Sequence, residues 1–174
     1  MKILKKILII IGLFLFTSNF TIAEIPHYVD FKFILNESSA GKNAQNFLKK
    51  KLSDGIKKIQ DKEKNIQKEE VKIIQQKKII SAEEYKKKVS ELRNKVALLQ
   101  KERDTLLDSV AKQRAKARKE LLTNLNPIME QYMKDKKIRM VLNKNSLLLA
   151  DENLDITKDI VKILNSKIKS IKLN

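Results

Sequence analysis

The sequence predicts a mainly α-helical protein with a small β-containing base, interrupted by a long antiparallel helical hairpin. The first observation is the composition: 34% of the 174 residues are charged and 5% are aromatic, with 3 Gly and 2 Pro. Few helix breakers and many Lys, Glu, Leu and Ile residues are typical of long helices. The second is an apolar residue at every seventh position through the middle of the chain, which predicts helices that pack side by side. The third is the presence of short strand-like stretches at both ends.

Residues 1–23 have the features of a secretory signal peptide. Three lysines within the first six residues precede an apolar run at residues 7–16, and Thr21-Ile22-Ala23 resembles a small-residue cleavage site. The alternative is an uncleaved anchor, but the run is shorter than the roughly 20 apolar residues that span a bilayer. We therefore expect cleavage near Ala23 and a soluble mature protein.

Residues 24–41 are expected to form the N-terminal part of the base. A strand is predicted near residues 25–30, and Phe31, Ile34 and Leu35 have helical spacing. A loop at residues 36–41 is then expected to lead into a long helix that starts near Ala40.

Residues 42–137 are expected to form a basic helical hairpin, the arm. They carry 27 Lys and Arg against 14 Asp and Glu, a net charge of +13, whereas the rest of the mature chain has a net charge of +1. On the first helix, one apolar residue recurs in each heptad: Leu52, Ile59, Ile66, Ile73 and Ile80. The positions that would complete a coiled-coil seam after Ile56 are polar, at Glu63, Glu70 and Lys77, so the buried stripe should be thin.

A second helix is predicted from about Ala82. Ser81 is a suitable N-cap, and the negative charges of Glu83 and Glu84 suit the first turn. Its expected seam has steps of four and three residues: Tyr85, Val89, Leu92, Val96, Leu99, Arg103, Leu106 and Val110. A very short turn between two long helices requires them to run antiparallel, each about 60 Å long.

Beyond Val110 the predicted seam shifts and widens, which indicates burial against more neighbours. The expected positions are Ala111, Ala115, Leu121, Leu122, Leu125, Ile128, Met129 and Tyr132. Pro127 should kink this helix or restart it with Asn126 as the cap.

Residues 138–174 are expected to complete the base. Strands are predicted at 138–142 and 147–150, joined by a tight turn at Asn143-Lys144-Asn145. Thr157 is the predicted N-cap of a helix near 158–171, with Ile156 and Val161 as a hydrophobic staple and Ile160, Leu164 and Ile168 on one face. So small a sheet is marginal in water and exposes its edges, which predicts oligomerisation. The residues expected in this oligomerisation body are Val29, Val141, Leu142, Leu147, Leu148 and Leu149.

Catalytic and metal-binding patterns are absent from the sequence. There is no Cys, and His27 is the only His, so we interpret it as incidental or structural. Nucleophile–His arrangements and zinc sites are therefore disfavoured, and Gly12, Gly41 and Gly55 form no phosphate-binding loop. We expect a protein that is not an enzyme and has no cofactor.

The densest basic run is residues 112–120. Its cations, Lys112, Arg114, Lys116, Arg118 and Lys119, form either a solvated helix face or a candidate substrate-binding patch. Acidic unfolded chains, anionic lipid, lipopolysaccharide or nucleic acid could be attracted electrostatically. A signal peptide makes nucleic acid an unexpected physiological partner.

Three stretches give the chain a resemblance to the Skp/OmpH family of periplasmic chaperones. They are VDFKFILNESSAGKNAQNFLKKKL at residues 29–52, SAEEYKKKVSELRNKVALLQ at 81–100 and MVLNKNSLLLADENLDITKDIVKILN at 140–165. The resemblance implies a jellyfish-shaped homotrimer in the periplasm of a Gram-negative bacterium, with arms that enclose unfolded outer-membrane proteins without using ATP. Two other functions remain open from the residues alone: a periplasmic structural or adaptor coiled coil, and a binder of anionic lipids or polymers.

Overall fold

The computed structural model of the chain describes residues 25–173, so the predicted signal peptide lies outside the described residues. The elements, in chain order, are β1 His27–Val29, α1 Phe31–Glu37, α2 Ser39–Gln76, α3 Ala82–Lys136, β2 Val141–Asn143 and α4 Thr157–Lys167. Two 3₁₀ turns, Lys144–Ser146 and Glu152–Leu154, lie between β2 and α4. The prediction of a mainly α-helical chain with a small β component is confirmed.

The β component is a parallel two-stranded sheet with Tyr28 of β1 opposite Leu142 of β2. On the other edge of β1, the Tyr28 carbonyl accepts a hydrogen bond of 3.0 Å from the backbone N–H of Ile156. Asp155 thereby forms an isolated parallel bridge with Tyr28. The strand from the N-terminal part of the base thus lies between two segments from the C-terminal part.

The predicted strand at 147–150 is wrong for the single chain, which has no regular structure there. A return strand needs a tight turn with positive φ angles, whereas Lys144–Ser146 form a 3₁₀ turn. The Asn143 side chain starts that turn, because its Oδ1 accepts a hydrogen bond of 3.1 Å from the N–H of Asn145.

The core of the base collects apolar side chains from both ends of the chain. Its buried members are Val29, Ile34, Leu125, Ile128, Met129, Ile156, Ile160 and Leu164. They come from β1, α1, the last third of α3, α4 and the residue before α4. Since apolar burial drives folding, neither terminal part of the base can form this core alone.

Ser38 joins α1 to α2 at a fully buried position. Its hydroxyl accepts a hydrogen bond of 3.1 Å from the N–H of Gly41, and its own N–H donates to the Ile34 carbonyl. A Cβ at position 41 would lie 1.9 Å from the carbonyl oxygen of Leu35, so the close approach of the chain requires glycine. Helix α2 starts at Ser39, one residue before the predicted start. The predicted loop at residues 36–41 is wrong, because only Ser38 of that stretch lies outside α1 and α2.

Ser81 caps α3 as predicted: its hydroxyl accepts a hydrogen bond of 3.2 Å from the N–H of Glu84. Helices α2 and α3 then lie side by side and antiparallel. Three side-chain pairs between α2 and α3 show the register of the two helices: Gln76–Lys88, Glu69–Lys95 and Lys62–Glu102. Each step along this series moves seven residues back along α2 and seven residues forward along α3.

The thin seam predicted on α2 is observed: Ile59 and Ile73 are buried, and Leu52 and Ile66 are half-buried. On α3 the half-buried or buried seam residues are Tyr85, Val89, Leu92, Leu99, Leu106 and Val110. The prediction is wrong at two seam positions, because Val96 is half exposed and Arg103 is exposed.

The predicted seam shift after Val110 is wrong at Ala111 and Ala115, which are exposed. The buried line instead continues from Val110 to Ala117, seven residues later, and to Leu121, four residues after that. The heptad spacing is therefore kept where two small alanines had indicated a shift.

Helix α3 is continuous through Pro127, so the predicted restart with Asn126 as its cap is wrong. Side chains in the preceding turn hydrogen-bond backbone carbonyls four residues earlier: Thr123 to Lys119 at 2.9 Å and Asn124 to Glu120 at 2.7 Å. The residues directly after the proline, Ile128 and Met129, are buried in the core. Tertiary packing therefore holds the helix together across the proline.

Thr157 is the first residue of α4 and not its N-cap, so the predicted cap and staple are wrong. Its hydroxyl instead accepts a hydrogen bond of 2.9 Å from the N–H of Asp30. The helix ends at Lys167, before the predicted residue 171. Residues 168–173, which we call the tail, continue without regular structure.

Candidate functional site

The five cations of the predicted basic patch are exposed but do not share a face of α3. Arg114 and Arg118 are four residues apart and therefore lie on one side, whereas Lys112, Lys116 and Lys119 lie on the other. The Lys112 ammonium is 2.7 Å from the Asp108 carboxylate, and the Lys116 ammonium is 3.9 Å from that of Glu120. The structure thus divides the patch into an arginine side and a lysine side.

The buried seam divides the arm into two flanks. Its reference residues are Leu52, Ile59, Ile66 and Ile73 on α2, and Tyr85, Leu92, Leu99 and Leu106 on α3. At 3.6 residues per turn, a residue three positions after a seam residue lies on one side of it, and a residue one position after lies on the other.

The bonded flank contains the positions three residues after the seam. There the Lys95 ammonium lies 2.6 Å from Glu69 Oε1, and the Lys62 ammonium 2.6 Å from Glu102 Oε1. Lys88 donates to the Gln76 side chain at 2.8 Å. These bonds join positions three residues after the seam on both helices, so they lie on one side of the hairpin. The positions one residue after the seam therefore lie on the opposite side on both helices.

The open flank contains the positions one and four residues after the seam, which lie on the same side of each helix. Its exposed apolar residues are Ile56 and Ile74 on α2, and Val96 and Leu107 on α3. Each is between 42% and 59% exposed. Four large aliphatic side chains on one side of a highly charged hairpin form a candidate contact surface.

Arginine is confined to the same flank. The arm contains four Arg residues, Arg93, Arg103, Arg114 and Arg118. All four are exposed. Arg93 lies one residue after Leu92, and Arg103 lies four residues after Leu99. Arg114 and Arg118 lie four residues after Val110 and one residue after Ala117, which continue the buried line. A guanidinium has five N–H donors and a weakly hydrated planar face, so it can bind carboxylates and carbonyls and stack on aromatic rings. The open flank therefore combines apolar contact with planar hydrogen-bond donors.

The residues predicted for the oligomerisation body occupy three environments. Val29 is fully buried in the core, and Val141 packs against it. Leu142 and Leu147 are half-buried. Leu148 and Leu149 are 96% and 91% exposed, which makes them the most exposed large aliphatic side chains among residues 25–173.

These leucines line a cleft together with Tyr28, Lys144 and Asp155. Partial burial opposes ionisation of Asp155, but hydrogen bonds from Thr157 and the nearby charge of Lys144 together hold its pKa below its usual value. The Lys144 ammonium lies 3.5 Å from this carboxylate and 5.9 Å from the centre of the Tyr28 ring. The carboxylate thus connects the loop after β2 to the start of α4.

Tyr132 makes a second connection between the arm and the base. Its hydroxyl donates a hydrogen bond of 2.6 Å to Asp159. Burial, together with this bond and the negative charge of Asp159, raises the pKa of Tyr132 to about 12. The end of α3 is thereby joined to the first turn of α4.

The described residues contain no cluster of three or more His, Cys, Asp and Glu that could hold a metal ion. His27 lies in β1, and its Nδ1 is buried without a hydrogen-bond partner within residues 25–173. None of the helices in this part of the chain is apolar over enough residues to cross a membrane. The expectation that the protein is not an enzyme stays a prediction.

Sequence reasoning missed two features of the site. It did not separate the two flanks, although the placement of Arg93, Arg103, Arg114 and Arg118 relative to the heptads carried that signal. It also placed residues up to 171 in a helix and so missed the tail. The alternating sequence Ile171-Lys172-Leu173 was the available signal for extended structure.

The split base and the long two-flanked arm define the class of protein as one with a long antiparallel helical hairpin rising from a small mixed base. The family model described as outer membrane protein (OmpH-like) matches residues 27–164. The chain therefore belongs to the OmpH-like family. Its fold is similar to the crystal structure of an OmpH-like protein from Caulobacter crescentus CB15, described as a candidate outer membrane chaperone. The TM-score is 0.79 at 19% identity, over 88% of this chain and 94% of that chain. A comparison with curated proteins gives no match.

Proposed function

We propose that this protein is an ATP-independent holdase chaperone that binds unfolded outer-membrane proteins in the periplasm and prevents their aggregation. Membership in the OmpH-like family supports this proposal, as does the chaperone role named for the Caulobacter protein of the same fold. The predicted signal peptide supports the periplasmic location.

The observation that carries the proposal is the open flank. An unfolded polypeptide presents apolar side chains, carboxylates and unpaired backbone carbonyls. Aliphatic residues such as Val96 and Leu107 can contact the first group, and Arg103 and Arg114 can bind the other two. Such contacts are individually weak and do not depend on one sequence, which suits a protein that holds many clients.

The charge of the arm would assist capture. A net charge of +13 over residues 42–137 attracts acidic segments over about 8 Å at physiological salt. Helices held together by a thin seam can also separate, so a cavity between arms could adapt to clients of different sizes. Binding lowers the concentration of free unfolded chain and thereby slows aggregation. Release would need only a competing partner or insertion of the client into a membrane.

The proposal includes a homotrimer with 24–41 and 138–174 as its body and 42–137 as its arm. A two-stranded sheet is marginal by itself. The sheet has an outer edge on β2, and the highly exposed Leu148 and Leu149 follow close by in the chain. Pairing of this edge and these leucines with neighbouring subunits would bury both. Three bodies joined in this way would direct three arms around a common cavity.

The proposal is tested by aggregation of a denatured outer-membrane β-barrel protein diluted into buffer without nucleotide. Residues 24–174 should suppress light scattering once three chains are present per client. An equal mass of a basic protein without the arm serves as the control for charge. Unchanged scattering at a threefold excess of chain would refute the holdase.

A salt titration separates the proposal from simple binding of anionic polymers. Binding that depends only on phosphate or carboxylate charge should weaken steeply as salt is raised. A holdase with an apolar open flank should retain suppression at 0.5 M salt, where the Debye length is only a few Å. Loss of all suppression at that salt concentration would favour the anionic-polymer function.

A further inference from the structure

The tail lies against the arm near the base and covers a groove between α2 and α3. The Leu173 side chain is 4% exposed and packs with Ala44 and Leu48 of α2 and with Val110 and Ala117 of α3. Ile171 packs against the same cluster. The intervening Lys172 is exposed, so the tail places alternate side chains into the groove, as an extended strand does.

Two side-chain amides bind the backbone of the tail. Asn43 Nδ2 donates to the Lys169 carbonyl at 2.7 Å, and Gln113 Nε2 donates to the Leu173 carbonyl at 2.8 Å. The Gln113 amide is itself oriented, because its Oε1 accepts a hydrogen bond of 2.9 Å from the Lys51 ammonium. These groups recognise main-chain carbonyls and therefore place no demand on the sequence of the bound segment.

The groove thus has the chemistry of a peptide site: side-chain amides that donate to backbone carbonyls at two points, and apolar space for two aliphatic side chains. We propose that it binds an extended polypeptide segment with aliphatic residues at alternate positions, and that the tail occupies it as an intramolecular ligand. The family match ends at residue 164, so the tail lies outside the matched region. The inference rests on the proposed function only in naming an unfolded client as the source of the competing segment.

Occupancy by the tail has a quantitative consequence. A short tether gives an attached segment an effective concentration of the order of mM. A free peptide with a similar intrinsic affinity must therefore reach about that concentration to compete. The groove should consequently bind added peptide weakly in the intact chain and more tightly once the tail is detached.

The test uses a fluorescent peptide with the sequence of residues 167–174, KIKSIKLN, and the protein of residues 24–174 carrying Leu173→Asp. The charged residue should detach the tail, because burial of an unpaired carboxylate is strongly unfavourable. Fluorescence anisotropy should show at least tenfold tighter peptide binding to this variant than to the wild-type chain. A control peptide with aspartate in place of its Ile and Leu should not bind, and adding Gln113→Leu to the variant should weaken binding of the first peptide at least threefold.

A chain ending at Lys167 provides a second route to an empty groove, and circular dichroism establishes that each variant is folded. Equal binding to wild-type and tail-detached protein, or no binding to either folded variant, would overturn the proposal. Light-scattering assays on the same variants distinguish it from the holdase function. Suppression without peptide binding refutes only the groove, whereas peptide binding without suppression refutes only the holdase.

Discussion

The Thr157 hydroxyl accepts a hydrogen bond of 2.9 Å from the backbone N–H of Asp30, although the two residues are 127 positions apart. Thr157 is buried and is the first residue of α4, whereas Asp30 caps α1. The Thr157 hydroxyl therefore satisfies the Asp30 N–H and joins α4 to α1, which come from opposite ends of the chain.

Thr157→Val should destabilise the protein by about 1–3 kcal/mol, because the Asp30 N–H would lose its partner in a partly buried position. Urea unfolding followed by circular dichroism measures the change. Thr105→Val is the control, since that exposed hydroxyl bonds only the Lys101 carbonyl of its own helix. Equal effects of the two substitutions would contradict a coupling role for Thr157.

The glycines of α2 should respond differently to alanine. A Cβ at Gly41 meets the fixed carbonyl oxygen of Leu35 at 1.9 Å, so Gly41→Ala should destabilise the base by at least about 1–3 kcal/mol. A Cβ at Gly55 meets the ends of the flexible Leu106 side chain at 2.5 and 2.6 Å. There the gain of about 1 kcal/mol in helix propensity should offset much of the clash. Thermal melting of both variants tests the ranking, and a greater loss for Gly55→Ala would contradict it.

Asp155 should make stability depend on acid pH. Its pKa in the folded protein lies below the unfolded value of 3.8. The ionised form is thus favoured by folding, and the stabilisation is present above pH 3.8 and lost as the pH falls through the folded-state pKa. The stability difference between wild type and Asp155→Asn should accordingly shrink below pH 3.8. Urea unfolding at pH 7 and pH 3 measures it, and a constant difference would show that the carboxylate charge is unimportant.

The ion pair between Glu69 of α2 and Lys95 of α3 should contribute only about 0.2–1 kcal/mol to the stability of the folded chain, since both side chains are substantially exposed. Glu69→Lys should lower the melting temperature slightly and separate α2 from α3 locally, and the added Lys95→Glu should restore both. A double-mutant cycle measures the coupling, and spin-label distances between α2 and α3 report the separation. A coupling indistinguishable from zero at low salt would contradict the pairing.

The two flanks of the arm should differ in client binding. Val96→Ser and Leu107→Ser together should weaken suppression of client aggregation several-fold, because they remove apolar contact from the open flank. Leu98→Ser is the matched control: Leu98 is 62% exposed but lies between Lys95 and Glu102 on the bonded flank. Equal loss from the two flanks would refute the assignment of the client surface.

Local sequence patterns were sufficient wherever one helix face or one cap decided the structure. The heptads from Leu52 to Ile73 predicted the buried line of α2, and Ser81 predicted the start of α3. Local patterns failed where distant residues compete for a position. Thr157 looks like a helix cap until Asp30 supplies another donor for its hydroxyl, and the two alanines after Val110 looked like a seam until the register of α2 determined which side was buried.

The sequence by itself determined the two long helices of the arm and their basic charge, because periodicity and composition act locally along the chain. Only the tertiary structure decided that β1 and β2 are parallel, that residues 147–150 remain unpaired within one chain, and that the tail fills the groove of the arm. These features depend on pairing between segments separated by more than 100 positions or on the relative rotation of two helices. The same relative rotation separates the bonded flank from the open flank, and the proposed client surface depends on it.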